Sequence, residues 1–120
     1  MSVRVGFLGA GLIARYHAGS LAAAGVPFEW GGVYDPDGER AHGFARVHDV
    51  TVLPSEAAVL DDCDAVYVCT WTSEHPRLVA EAAERGLAVF CEKPLATSLD
   101  HARAMAASVE AAGVVNQVGL

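Results

Sequence analysis

Gly9-Ala10-Gly11-Leu12-Ile13-Ala14 has the spacing of a glycine turn that opens a helix, with alanine at the third small position. Each small residue has a separate job. Gly9 permits a tight turn, Gly11 lets main-chain N–H groups close on a diphosphate, and Ala14 is small enough for helix and strand to touch. A helix starting at Leu12 then points its free N–H groups, and about half a positive charge, at the anion. Ala10, Leu12 and Ile13 complete the expected contact set along this loop.

Asp35 closes an apolar run about twenty residues beyond the loop, where a carboxylate can accept hydrogen bonds from both hydroxyls of an adenosine ribose. Its other reading is that it only starts a turn at Pro36. The same carboxylate repels a 2′-phosphate, and Pro36 stands where a phosphate-gripping arginine would be expected. The expected cofactor is therefore NAD, with NADP the less favoured form. Arg40 softens that preference if it reaches the site, and is otherwise a solvated charge one turn further on.

Val89-Phe90-Cys91-Glu92-Lys93-Pro94 delivers a charged pair at the carboxyl end of a buried strand, the edge where open α/β sheets bind ligands. An ammonium there can polarise a carbonyl oxygen and donate a proton, or work in reverse on an alcohol. Glu92 would steady Lys93 or line the nicotinamide side. The competing reading is a solvent-exposed ion pair on a loop.

These groups need a scaffold, and the chain alternates short β-rich runs with alanine-rich helical stretches, the pattern of βαβ units around a parallel sheet. Strands are predicted at Val3–Leu8, Phe28–Tyr34, Val50–Leu53, Ala65–Thr70, Leu87–Cys91 and Val114–Val118. Helices are predicted from Leu12 to Ala24, stopped by Gly25; from an Asp37 cap through Ala45; and over Ala57–Leu60, opened by Ser55 and Glu56. A further helix starts from a Ser73 cap with Pro76 in its first turn and ends near Arg85-Gly86. The last runs from a Ser98 cap to Ala112, before Gly113. The expected fold is a three-layer, doubly wound parallel sheet of Rossmann type in a single domain over residues 1–120.

Bulk properties agree. The 120 residues are 52% hydrophobic and 19% charged, which suits one globular domain and excludes disorder. A formal net charge of −7 argues against nucleic acid and anionic membranes as partners, because both demand a dense basic face. Cys63, Cys69 and Cys91 lack the spacing of a metal knuckle and are expected to be reduced, buried and cytoplasmic. The stretch from Val3 to Ala14 superficially resembles a secretory core, a reading rejected because the glycine spacing accounts for it. No apolar run is long enough for a membrane helix. His17 beside Tyr16 invites a catalytic role, but a lone histidine behind a phosphate loop reads as structural. His42, His48 and His101 have no partner at ligand spacing, so no metal site is expected.

Phe90-Cys91-Glu92-Lys93-Pro94-Leu95-Ala96 resembles the Glu-Lys-Pro signature of the Gfo/Idh/MocA oxidoreductases, which include glucose–fructose oxidoreductase and inositol dehydrogenases. The resemblance extends over the whole chain through the Gly9 loop, Asp35, Thr70, His75 and the closing Asn116-Gln117-Val118-Gly119. It implies NAD(P) bound by this domain, Lys93 catalytic beside the nicotinamide, Glu92 and Gln117 lining the same pocket, and a cis Lys93–Pro94 bond. Where members of the family often carry Thr-Pro-Asn, this chain has Thr70-Trp71-Thr72. The loop is still expected to pass along the cofactor, with Trp71 against it or packed underneath, and His75 is carried as a cofactor-side residue.

The resemblance also implies a second, antiparallel domain that supplies substrate contacts. The expectation is therefore a nucleotide-binding domain of a sugar, inositol or polyol oxidoreductase, binding cofactor without appreciable turnover by itself. Self-association is left open. Two other functions compete: a non-catalytic NAD(H)-sensing module, and an S-adenosylmethionine-dependent methyltransferase, which also uses a glycine loop and an acidic residue after its second strand.

Overall fold

A computed structural model describes residues 2–119. Six strands form one parallel sheet in the order β3-β2-β1-β4-β5-β6, where β1 is Val3–Leu8, β2 Phe28–Tyr34, β3 Thr51–Val52, β4 Ala65–Val68, β5 Ala88–Cys91 and β6 Asn116–Val118. The order reverses between β1 and β4, so the carboxyl ends of these two neighbours flank a crevice into which loops from both halves project. The expected doubly wound architecture is the one observed.

Five α-helices cover the two faces. On one side α1 (Leu12–Ala23) and α2 (Gly38–His48) pack Ala14, Ala18 and Phe44 against Val5, Phe7 and Val33 of the sheet. On the other, α3 (Glu56–Asp61), α4 (His75–Glu84) and α5 (Leu99–Ala112) set Leu60, Leu78, Val79 and Met105 over Val66, Val68 and Val89. Central strands are apolar along both faces because helices bury both. Phe7 is fully buried and stacked on Tyr67 with ring centroids 4.6 Å apart, a contribution of roughly 1.5–3 kcal/mol from burial alone. That aromatic pair lies near the carboxyl ends of β1 and β4.

Caps explain most boundaries. Asp37 accepts from the N–H groups of Glu39 and Arg40, Ser55 from Ala58, and Ser98 from His101. Gly113 ends α5 in the left-handed conformation. Four expectations need correction. The second helix runs three residues past Ala45 to His48, because Asp49 adopts the left-handed cap (φ 56°) that ends it. The third strand is only Thr51–Val52, an edge pairing with Gly32 and Val33. The sixth starts at Asn116 and not at Val114, whose N–H bonds back to Val109. Ser73 does not cap α4: a 3-10 turn over Thr72–Glu74 intervenes, in which Glu74 N–H donates to Trp71 O at 3.0 Å, and the helix starts at His75.

Candidate functional site

The turn after β1 is built by exclusion of side chains. Gly9 sits at φ +92°, and a Cβ there would lie 2.4 Å from the carbonyl oxygen of Cys69, so β4 and the turn touch backbone to backbone. Its N–H donates to Tyr34 O at 2.9 Å. Gly11, the N-cap of α1, meets nothing within 4 Å of an ideal Cβ, and its side faces open space. Helix α1 has no side-chain cap and no acidic residue in its first turn. Its leading N–H groups, at Leu12 and Ile13, are left for an external acceptor.

That open space belongs to a cleft of about 550 Å³ whose walls include Gly9, Gly11, Asp35, Arg40, Thr70 and Trp71. Asp35 is part of its lining. One carboxylate oxygen accepts the N–H of Ala10 at 2.8 Å and the other that of Asp37 at 2.8 Å, so the side chain is held by two main-chain donors. Each oxygen retains a further lone pair beyond the bond it accepts. Ala10, expected to contact the cofactor, is fully buried and spends its N–H on Asp35. It orients the carboxylate and has no donor left for a diphosphate. Arg40 lines the same cleft and lies 3.7 Å from Asp37, so it stands at the Asp35–Asp37 side of that cleft.

The loop after β4 supplies the facing wall. Thr70 is half-buried, and Trp71 is 79% exposed at the cleft mouth, which excludes the reading that it packs beneath the loop. Thr72 begins the 3-10 turn and does not line the cleft. His75 also departs from expectation. It is 1% exposed, and its ring nitrogens lie 3.1 Å from Leu95 O and 3.1 Å from Thr70 O, so either tautomer donates to a carbonyl. Buried between two loops, the ring ties the Trp71 segment to the segment after Pro94 and makes no surface for a ligand.

The carboxyl end of β5 completes the site. Cys91 is the last strand residue, and the chain turns through Glu92, Lys93 and a cis Lys93–Pro94 bond. Lys93 is exposed and, among the described residues, forms no ion pair. Glu92 does not steady it. Instead Glu92 Oε2 accepts from Nε2 of His17 at 2.5 Å, across from the middle of α1. His17 is thus a packed, half-buried residue, as expected, and its partner is the Glu92 carboxylate. A helical repeat through Ala14, His17, Ala18 and Leu21 carried that signal, because it sets His17 on the sheet-facing side. Gln117 is exposed, donates to Val118 O at 3.0 Å, and lines a separate groove under α5.

An uncapped helix start, an open Gly11 and an anchored carboxylate thus share one cleft at the strand-order reversal, which is the donor set a dinucleotide requires. The family model described as "Oxidoreductase family, NAD-binding Rossmann fold" matches residues 3–120. The chain belongs to the Gfo/Idh/MocA oxidoreductase family. It is similar to inositol 2-dehydrogenase 3 of Saccharopolyspora erythraea, at 41% identity over 83% of this chain and 30% of that protein. It is also 37% identical to the scyllo-inositol 2-dehydrogenase (NAD(+)) of Bacillus subtilis, over 98% of this chain and 35% of the relative.

Among solved structures, the WlbA dehydrogenase from Bordetella pertussis, in complex with NADH and UDP-GlcNAcA, superposes with a TM-score of 0.90 at 28% identity. That match covers 98% of this chain and 37% of the WlbA chain. The Gfo/Idh/MocA chain thus spans about a third of the length of the relatives it matches. Its fold and cofactor class are those of an NAD-binding Rossmann domain, and the methyltransferase alternative falls with that membership.

Proposed function

We propose that this domain holds NAD for a hydride transfer to or from a sugar, inositol or related polyol, with Lys93 as the catalytic residue. The observation that carries the reading is the uncapped start of α1 at a cleft that Asp35 also lines. The N–H groups of Gly11, Leu12 and Ile13 would hold the diphosphate, and Asp35 the adenosine ribose. Thr70 and Trp71 would flank the cofactor on its way to the β5 edge. When bound, NAD supplies the hydride chemistry.

Lys93 provides the proton side of that chemistry. Its ammonium, free of any carboxylate partner among the described residues, polarises a substrate carbonyl and donates a proton, or accepts one from an alcohol in its neutral form. NAD is preferred over NADP because Asp35 would face a 2′-phosphate at short range, and Arg40 offsets only part of that repulsion. We place substrate selection in the part of the family's length that lies outside this match. The three buried, unpaired thiols support a reducing, cytoplasmic setting.

Titration of the chain with NADH, followed by quenching of Trp71 and Trp30 fluorescence, tests the reading. Saturable quenching that NAD competes away is the expected result. No quenching at millimolar NADH would remove the proposal.

A further inference from the structure

His17 and Glu92 stand 75 positions apart in sequence, yet a hydrogen bond joins them and links α1 to the β5 edge. The contact is well enclosed, with side-chain exposures of 21% for His17 and 14% for Glu92. The imidazole is fixed by aromatic neighbours: it meets Phe90 edge-on at 4.8 Å and lies 5.6 Å from Tyr67. Glu92 is confined on a second side by Gly119, where an ideal Cβ would stand 3.0 Å from the same Oε2. Burial pushes the Cys69 thiol up to about 12, and the negative charge of Glu92 adds to that rise. Glu92 is therefore directed inward, toward α1, and away from the exposed Lys93.

We propose that His17 is a positioning residue: by taking the Glu92 carboxylate it separates the two charges of the Glu92-Lys93 motif and leaves the ammonium unpaired at the redox end. Without that bond, Glu92 would have Lys93 as its nearest partner in sequence, and a paired ammonium is a weaker proton shuttle and a weaker carbonyl electrophile. The inference rests on Lys93 being the reacting cation, but its test does not require turnover.

Lys93 is the only lysine in the chain, so amine acylation reads this one side chain, with the N-terminal amine as an internal reference. Only the unprotonated amine acylates, and pairing with a carboxylate depletes it. In the full chain treated with limiting acetic anhydride near pH 8, His17→Phe keeps the aromatic packing and removes the donor. It is expected to slow Lys93 acylation roughly three-fold relative to the reference amine. His17→Gln, which restores an N–H at similar reach, keeps the parent rate, and Glu92→Gln added to His17→Phe restores it. An unchanged rate in a folded His17→Phe chain, or no recovery in the double variant, would overturn the proposal.

Glu92→Gln alone decides the matter if His17→Phe does not fold. Its rate stays within about two-fold of the parent if Glu92 is already engaged by His17, and rises beyond that if Glu92 was paired with Lys93. NADH titration of the same samples separates the two readings, because loss of NADH binding in the parent would sink the cofactor assignment and leave the acylation pattern intact.

Discussion

The main-chain N–H of Ala10 donates to the Asp35 carboxylate at 2.8 Å, joining the turn after β1 to the end of β2. The bond fixes the distance between the uncapped start of α1 and the carboxylate expected to hold the ribose. Asp35 is thus part of the phosphate turn's architecture as well as a candidate ligand.

Replacing Asp35 by alanine should accordingly do two things. NADH binding should weaken by about 1–3 kcal/mol, the cost of stranding hydrogen-bonded groups, whereas NADPH binding should fall less or improve. The N–H groups of Ala10 and Asp37 lose their acceptor at the same time, so the urea midpoint should drop too. Asp35→Asn separates the effects, since its carbonyl can still accept one of those bonds. Fluorescence titrations with both cofactors check the ratio, and equal losses for the two would refute the ribose assignment.

Gly9 and Gly11 should fail in opposite ways. Alanine at Gly9 puts a Cβ 2.4 Å from Cys69 O in a positive-φ conformation, and should cost about 1–3 kcal/mol of folding stability. Gly11 has extended backbone, φ −80° and ψ −166°, and open space around it. Valine there should cost less than about 1 kcal/mol of stability while weakening NADH about tenfold or more by crowding the diphosphate. Urea unfolding and NADH titration of both variants test the contrast. Tight NADH binding by Gly11→Val would mean that the diphosphate lies elsewhere.

What was legible in the sequence was local. The Gly9 turn, the Asp37, Ser55 and Ser98 caps and the apolar β4 depend on residues within a few positions of each other, and spacing reports such things directly. The Glu92–His17 bond links residues on different layers, and no local pattern specifies which carboxylate meets which imidazole. His75 shows the same limit. Its place at the start of α4 was readable, but its burial depends on Leu95 arriving from beyond β5 to meet its ring. Ser73 misled because its residue type suits a cap, while the chain satisfied that end with Trp71 O instead.

His75 should therefore matter to stability before it matters to binding. His75→Ala removes the one N–H that the ring offers to Leu95 O or Thr70 O and opens a cavity beneath both loops, at a cost of roughly 2–4 kcal/mol. His75→Asn, which keeps a donor in less volume, should recover part of it. Hydrogen exchange should show the Trp71 and Leu95 segments loosened together. Loosening of one without the other would mean that the ring does not couple them.

The thiols provide a pH test. Burial pushes Cys63 up to about 11 and Cys69 and Cys91 up to about 12, from an ordinary value of 9.0. The folded chain thus holds these protons more tightly than the unfolded chain does. The thiols' contribution to stability is full below about pH 9, and it is lost as pH rises from there toward 12, because the unfolded state ionises first. Tyr67, also raised by burial, adds to the fall from its own ordinary value of 10.0 upward, so the parent curve alone does not isolate the cysteines. Cys69→Val removes one titrating group while nearly conserving volume. Its urea midpoint should therefore decline less steeply than the parent's between pH 9 and 11, and below pH 8 the difference between the two should be constant. Parallel curves across the whole range would show that the Cys69 thiol is not held protonated by the fold.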